Sequence, residues 1–347
     1  MSSHSMLAAT VRTRRPFEML AVCALALVPL SIAHAQKAKT QKPVPVAAEA
    51  VPAELDVMHL RGNVYLIGAA GGGAHSVVQF GKEGAILVDT QTPATSEKLI
   101  AAIRKLTPEP LRIILNTSFL PEHTGGNVNV TNVGRFIGDR GEIKTASIKA
   151  HEGVLNHMSG VIGNSKAPEA GWPVDVYYMG NLDLRFNDEA VILIHEPNAA
   201  TDGDSIVFFR SSDVIVAGEV FTPTSYPILT PERGGSLQGV INGLNRIIDL
   251  AVPDFNAQGG TLVVPAYGPV ADEYSVVIYR DALTVIRDRI ADLIKQGKTL
   301  EQVKAARPSF DYDGIYGAPQ RGWTKEQFIE AAYRELSAAP AQAAAAQ

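Results

Sequence analysis

Short apolar runs set between glycine-rich turns open the folded part of the chain. NVYLI (63–67), SVVQF (76–80) and AILVD (85–89) are rich in β-branched residues and lie close together, which predicts neighbouring strands. The period then changes. Leu99, Ala102, Ile103 and Leu106 recur at helical spacing and predict a helix over 93–106, with Thr92 as its cap and Pro93 in its first turn. RIIL (112–115) reads as a buried strand that delivers Asn116 to a loop. The second half repeats this order. Strands at 191–195, 205–209 and 213–217 precede a helix over 236–250, whose glycine-rich lead-in offers Ser236 as N-cap. Strand 261–265 follows, and then a long helix over about 272–295 with Val276, Tyr279, Leu283, Ile286, Ile290 and Leu293 on one side. A helix with one apolar stripe must bury it on a sheet. Two halves of this kind predict an α/β fold in which two sheets pack face to face with helices outside, a four-layer αββα sandwich.

The ends read differently. Within residues 1–35, Arg12, Arg14 and Arg15 precede the apolar run MLAVCALALVPLSIA, and Ala33 and Ala35 fit a cleavage site. This predicts a signal peptide over 1–35 and a periplasmic or secreted protein, and TRRPF (13–17) resembles a twin-arginine signal. The run is too short for a membrane span and contains Pro29, so no span is expected after cleavage. Cleavage would remove Cys23, the only cysteine, and with it any disulfide or thiolate ligand. Residues 36–54 predict a flexible linker, 55–337 the folded domain and 338–347 a disordered tail. The chain of 347 residues carries a net charge of −5, which argues against a nucleic-acid partner.

Candidate chemistry collects where strands end: Ser76, Asp89, the segment 116–127, the segment 198–204, Glu219 and Tyr267. Loops at one edge of a two-sheet sandwich would bring these together on a rigid scaffold.

At these positions the chain resembles the metallo-β-lactamase-fold hydrolases. NVYLIGAAGGGAHSVVQFGKEGAILVDT, NTSFLPEHTGGN, AHEGVLNHMSG, TDGDSIVFF, VIVAGEVF, ERGGSLQGVINGL and VVPAYGPVAD match that family's landmarks in order. The resemblance implies the αββα fold and a centre of two zinc ions that ionise a water for attack on an acyl, phosphate or similar bond. The ligands it implies are largely missing. The histidine positions of the first ion are Ser118, Leu120 and Ala200. Those of the second are Glu122 in place of aspartate, His123 retained, and Tyr267 in place of histidine, with Glu219 at the bridging aspartate. Leu120 and Ala200 have no lone pair to give. Each Asp-to-Glu change lengthens a stem by roughly 1.5 Å, whereas metal–ligand distances tolerate only about 0.2 Å.

Three readings follow. The scaffold serves as a binding or accessory protein without a cofactor, for a protein partner or a small-molecule ligand in a residual pocket. Alternatively, one divalent ion (zinc, iron or manganese) sits on Glu122, His123 and Glu219. In the third, His123 and Glu219 do metal-free acid–base work with Ser118 or Tyr267 assisting. Ser118, Leu120, Ala200, Tyr267 and His75 would line the pocket. His75 reads more simply as a solvent-facing turn residue, His195 as a satisfied strand end, and His59 and His157 carry no pattern. The resemblance puts Asp89 and Asp202 behind the ligands. The aromatic, glycine-rich segment 310–323 reads as a packed connector before a last helix over 324–336, or as a lip over the pocket.

Overall fold

The computed structural model describes residues 54–345 except 70–71, 135, 138–139, 164–165 and 255–258. The expected signal peptide and almost all of the linker therefore lie outside the described residues. In chain order the first half contains β1 (Asp56–Arg61), β2 (Val64–Gly68), β3 (Ser76–Gly81), β4 (Gly84–Val88), α1 (Ser96–Leu106) and β5 (Leu111–Leu115). Next come α2 (Pro121–Thr124), α3 (Asn127–Val133), β6 (Phe136–Ile137), β7 (Ile143–Lys144), β8 (Ser147–His151), α4 (Glu152–Met158) and β9 (Asp175–Tyr177). The second half has β10 (Asn181–Phe186), β11 (Glu189–His195), β12 (Ser205–Phe209), β13 (Val214–Gly218), α5 (Leu237–Leu250) and β14 (Leu262–Pro265). It closes with α6 (Glu273–Lys295), α7 (Leu300–Ala306), α8 (Asp313–Tyr316) and α9 (Lys325–Ala345).

Among the described residues these strands form a seven-stranded sheet, β1-β2-β3-β4-β5-β8-β9, and a five-stranded sheet, β10-β11-β12-β13-β14, beside the small β6–β7 hairpin. The sheets pack face to face through Val64, Val77, Ile86, Val88 and Leu115 on one side and Val191, Leu193, Val207, Phe209, Val216 and Val264 on the other. The outer face of the first sheet is covered by α1 and α3, through Leu99, Ile103 and Val130. That of the second is covered by α5, α6 and α9, through Leu244, Ile247, Tyr279, Leu283 and Phe328. This is the expected four-layer αββα sandwich. Each large side chain buried completely in these layers contributes about 1.5–3 kcal/mol.

The two halves share one register device. In each, an antiparallel hairpin (β3–β4, β12–β13) leads through a helix (α1, α5) to a strand parallel to the hairpin's last member. Parallel pairing aligns strand C-termini. Val88 sits opposite Leu115, and Gly218 opposite Pro265. Asp89 therefore leaves its sheet beside Asn116, and Glu219 leaves beside Ala266 and Tyr267. A cross-sheet bond from the Ser205 amide to the Thr117 carbonyl, 2.8 Å, ties the loops after β5 and before β12 together.

Some boundaries differ from expectation. α1 begins at Ser96 rather than 93, with Thr95 at the N-cap. The stretch from Thr92 to Thr95 closes as a turn, the Thr95 amide and hydroxyl both bonding to the Thr92 carbonyl. Local hydrogen bonding of this kind competes with helix initiation. α9 continues to Ala345, through residues whose composition suggests a loose tail from 338; alanine is the strongest helix former, so a helix already started can run on. α5 starts where the sequence puts it. The Ser236 hydroxyl accepts from the Gly239 amide at 2.9 Å and donates to the Asn198 carbonyl at 2.8 Å, so the cap also docks the helix on the 198–204 loop. Ser236→Ala is expected to lower stability by about 1 kcal/mol, read as a shift in the denaturant midpoint with an unchanged slope.

Candidate functional site

The segment 116–127 is held by its ends. Asn116 and Asn127 bond to each other through both side-chain amides, and Asn127 also reaches the Gly171 carbonyl at 2.8 Å. The His123 carbonyl accepts from the Thr90 amide at 2.8 Å and from the Asn116 side chain at 3.2 Å. Gly126 lies so close to the loop after β4 that a Cβ there would stand 2.2 Å from the Thr90 carbonyl oxygen. Only glycine fits that approach. The short helix α2 starts at Pro121 and aims His123 into the interior, where it is fully buried.

Both ring nitrogens of His123 meet carboxylates. Nδ1 lies 2.7 Å from Asp89 and Nε2 lies 3.1 Å from Glu219. Asp89 adopts a left-handed backbone (φ 59°) and accepts from the Thr117 amide at 2.8 Å and the Thr117 hydroxyl at 2.6 Å. Two carboxylates facing one imidazole make both nitrogens donors, so the ring is the charged form with no lone pair left. Burial alone would lower the affinity of His123 for its proton. Asp89, and then Glu219, more than reverse this and raise its pKa to about 10.

Glu219 is buried just past the end of β13, and its carboxylate is held from the opposite side by a residue that the sequence does not signal. Arg321 donates to it through both terminal nitrogens, at 2.8 Å and 2.7 Å. The same guanidinium lies 4.4 Å from the centre of the Tyr267 ring, stacked by charge and dispersion. Burial would raise the pKa of Glu219, but Arg321 first and His123 second lower it to about 2. Glu122 is half-buried and acts on Arg321 through space. The result is an alternating row, Asp89–His123–Glu219–Arg321, with every charge paired.

Arg321 arrives on a tight turn. Gln320 and Trp323 exchange backbone hydrogen bonds at 3.1 and 2.8 Å around Arg321 (φ 49°) and Gly322 (φ 77°). Two successive positive φ values are the two-residue hairpin geometry that prefers Asn-Gly. An arginine there is strained by roughly 1–2 kcal/mol, and its ion pair offsets that cost. The segment before it is anchored to the body. The Asp313 carboxylate accepts from the Tyr226 hydroxyl at 3.0 Å, the Ser309 hydroxyl at 2.8 Å and the Lys325 ammonium at 2.8 Å, and Ser225 bonds to Gln320. Segment 310–323 is thus a packed connector and also the element that fills the site.

The remaining candidates are dispersed around this row. Ser118 is fully buried beside Asp204, and Ala200 and Tyr267 are buried. Leu120 is half-buried at the N-cap of α2. His75 is not a solvent-facing turn residue. Its Nδ1 donates to the Pro265 carbonyl at 2.9 Å, with Ala74 packed on Ala266 and Tyr267. Asp202 points to His157, 2.8 Å away, rather than to His123. Among the described residues no group of three or more His, Cys, Asp or Glu side chains converges to hold a metal ion. The donor set does not fit one either: His123 has no free nitrogen, and both Glu219 oxygens are taken by Arg321. Arg321 was missed from sequence because it carries no motif and lies far from every other site residue. The one available signal was a demand, since Glu219 and Glu122 without a metal need a cation from elsewhere.

No protein-family model and no curated protein matches the chain. Solved structures do. A metallo-beta-lactamase from Pontibacter korlensis superposes with TM-score 0.53 at 16% identity, covering 67% of this chain and 99% of its own. DIM-1 metallo-beta-lactamase gives TM-score 0.51 at 16% identity, over 68% of this chain and 99% of its own. The stereoselective inverting sec-alkylsulfatase Pisa1 from Pseudomonas sp. gives TM-score 0.60 at 12% identity, over 81% of this chain and 50% of its own. The chain has the metallo-β-lactamase fold.

The charged row makes a pH prediction. The raised pKa of His123 adds stability that is complete below its ordinary 6.5 and is lost as pH rises through about 10. The lowered pKa of Glu219 adds stability present above its ordinary 4.5 and lost as pH falls through about 2. Two other buried acids, Glu196 and Asp204, are pushed up by burial to about 8 and about 6, and their pH dependence is spent by about pH 9. Between pH 9 and 10 the unfolding free energy is therefore expected to fall by about 1 kcal/mol through His123. In His123→Gln that slope flattens. Urea unfolding at four pH values measures both.

Proposed function

We propose that this chain is a non-hydrolytic binding or accessory protein built on the metallo-β-lactamase fold. In this reading the Arg321 guanidinium stands permanently where a hydrolase of this fold would carry its metal. One observation carries the reading: the fork from Arg321 to Glu219 over Tyr267, surrounded by the four positions that the sequence resemblance assigns to the second ion. A guanidinium is a fixed positive charge. It neutralises Glu219 but polarises no water and ionises none, so a positive charge is kept beside Glu219 without the chemistry of a metal.

The two hydrolytic alternatives meet specific obstacles. A single ion on Glu122, His123 and Glu219 would have to displace Arg321 and take the proton from an imidazole held between two carboxylates. Metal-free general-base catalysis by His123 needs a lone pair at neutral pH, and the Asp89 and Glu219 contacts remove it. What the scaffold binds is then a question for its outer surface, either a protein partner or a small molecule. The reading keeps the export expected from residues 1–35, to the periplasm or the medium.

Protein purified without added metal is expected to contain no stoichiometric zinc, iron or manganese, and to turn over neither a chromogenic β-lactam nor a secondary alkyl sulfate. One equivalent of tightly held metal, lost in His123→Ala, overturns the proposal. Arg321→Ala leaves Glu219 buried without its partner and is expected to cost about 3–5 kcal/mol in urea unfolding. Arg321→Lys keeps the charge but not the fork, and is expected to cost less.

A further inference from the structure

We propose that His151 and His195 form an acid-operated latch. Two imidazoles, one from each sheet, stack face to face and hold α4 against the 198–204 loop while His151 is neutral; its protonation releases them. This device is independent of whether the buried row has any catalytic role.

The latch stands on geometry. His151 ends β8 in the first sheet and His195 ends β11 in the second. Their rings stack with centres 3.5 Å apart and planes 11° from parallel. The hydrogen bond at Nδ1 defines the protonation state of His151. The Nδ1 of His151 accepts from the Gly153 amide at 3.2 Å, capping α4, so that nitrogen carries a lone pair. The Nε2 of His195 faces the Asp202 carbonyl at 2.8 Å and donates to it. A proton arriving at Nδ1 of His151 turns the cap's acceptor into a second donor facing an N–H. It also places a positive charge against the neighbouring ring at stacking distance.

The rest of the junction is close-fitting, so it responds to this change. A Cβ on Gly153 would lie 2.9 Å from the Gly203 Cα, which shows that the first turn of α4 rests directly on the loop backbone. The second tie is His157 on α4 to the Asp202 carboxylate, 2.8 Å. The groups facing His151 are few. The Tyr177 ring from β9 meets it edge-on at 5.3 Å, with its hydroxyl engaged by Ser205 at 2.7 Å. The Tyr178 backbone carbonyl and the Asp202 carboxylate favour its charge, and His195 opposes it. On its own element, Lys149 is paired with Asp175, and Glu152 follows in α4. Next to His195 stands Glu196, a buried acid whose carboxyl burial pushes up to about 8. Burial and then His195 lower the pKa of His151 to about 4 against the two favourable groups. The sign follows. A histidine kept neutral when folded adds stability that is complete above 6.5 and lost as pH falls toward 4.

The consequence is local. The 198–204 loop leads into Ser205, whose amide bonds to the Thr117 carbonyl beside the buried row. Release of the latch would loosen one wall of that site at mildly acidic pH while the sheets stay formed.

Hydrogen exchange read by mass spectrometry on the full chain, at pH 7.5 and 5.0 and corrected for intrinsic rates, tests this. Glu196 and Asp204 on the loop are raised by burial and respond to acid with the opposite sign, so the readout is the peptide that carries His151 and neither acid: 147–158 is expected to lose protection by about tenfold or more at pH 5.0, while peptides covering β3 and β4 keep it. His151→Asn retains an acceptor suited to a helix cap but does not titrate. It should match the wild type at pH 7.5 and lose the acid response. Unchanged wild-type protection at pH 5.0, or an equal acid response in His151→Asn, overturns the latch. Should that variant not fold, the wild-type ring resonances decide: a His151 midpoint well below 6.5 supports the latch, and one at 6.5 overturns it.

Discussion

An ionised carboxylate buried in the interior needs a compensating partner, and Glu219 has Arg321. Stranding an ionised glutamate in this interior would cost several kcal/mol. The bidentate fork, together with His123 on the other side, removes that cost. Much of the local architecture follows from the need. The parallel pairing of β13 with β14 delivers Glu219 and Tyr267 to one spot. The anchored segment before α9 carries Arg321 to them, and Arg321 accepts a backbone conformation that favours asparagine or glycine in order to reach.

The charge row is balanced and closed. Two acids and two bases alternate from Asp89 to Arg321, and both His123 nitrogens and the carboxylate oxygens of Asp89 and Glu219 are already hydrogen-bonded. The supporting frame is nevertheless intact: the Asn116–Asn127 amide pair, the close approach at Gly126, and Asp89 behind the loop. The packing of this loop depends on backbone and amide contacts and not on the side chains at 118, 120 and 122. Fold and reaction are separable on this sandwich.

Much of the fold was legible along the chain. Apolar runs between glycine-rich turns located β2 to β5 and β11 to β14, several of them buried on both faces, and helical spacing located α1, α5 and α6. β1 and β6 to β10 escaped notice. β1 and β10 are edge strands, and the outward residues of β10, such as Asp183 and Arg185, are charged, so the apolar signal is half as dense. The start of α1 was missed by a turn, since Thr92 and Thr95 satisfy each other locally. In the site, the missing ligands at Ser118, Leu120 and Ala200 could be read from sequence alone. The partners of His157, His195 and His75 could not, as each is a loop carbonyl or a side chain from a distant segment.

By itself, then, the sequence determined the layers, the frame of the 116–127 loop and the absence of histidine at Ser118, Leu120 and Ala200. Those depend on local apolar patterning and on which atoms a side chain possesses. Only the tertiary structure decided which groups surround Glu219. The distance between Glu219 and Arg321 spans about a hundred residues of chain. An ion pair across that separation leaves no pattern in either neighbourhood, and it exists because two parallel strand ends and one strained turn converge. The same holds for the histidine stack, which joins the ends of strands in different sheets. Long-range pairing is a property of the packed chain, and the charge state of His123 follows from it.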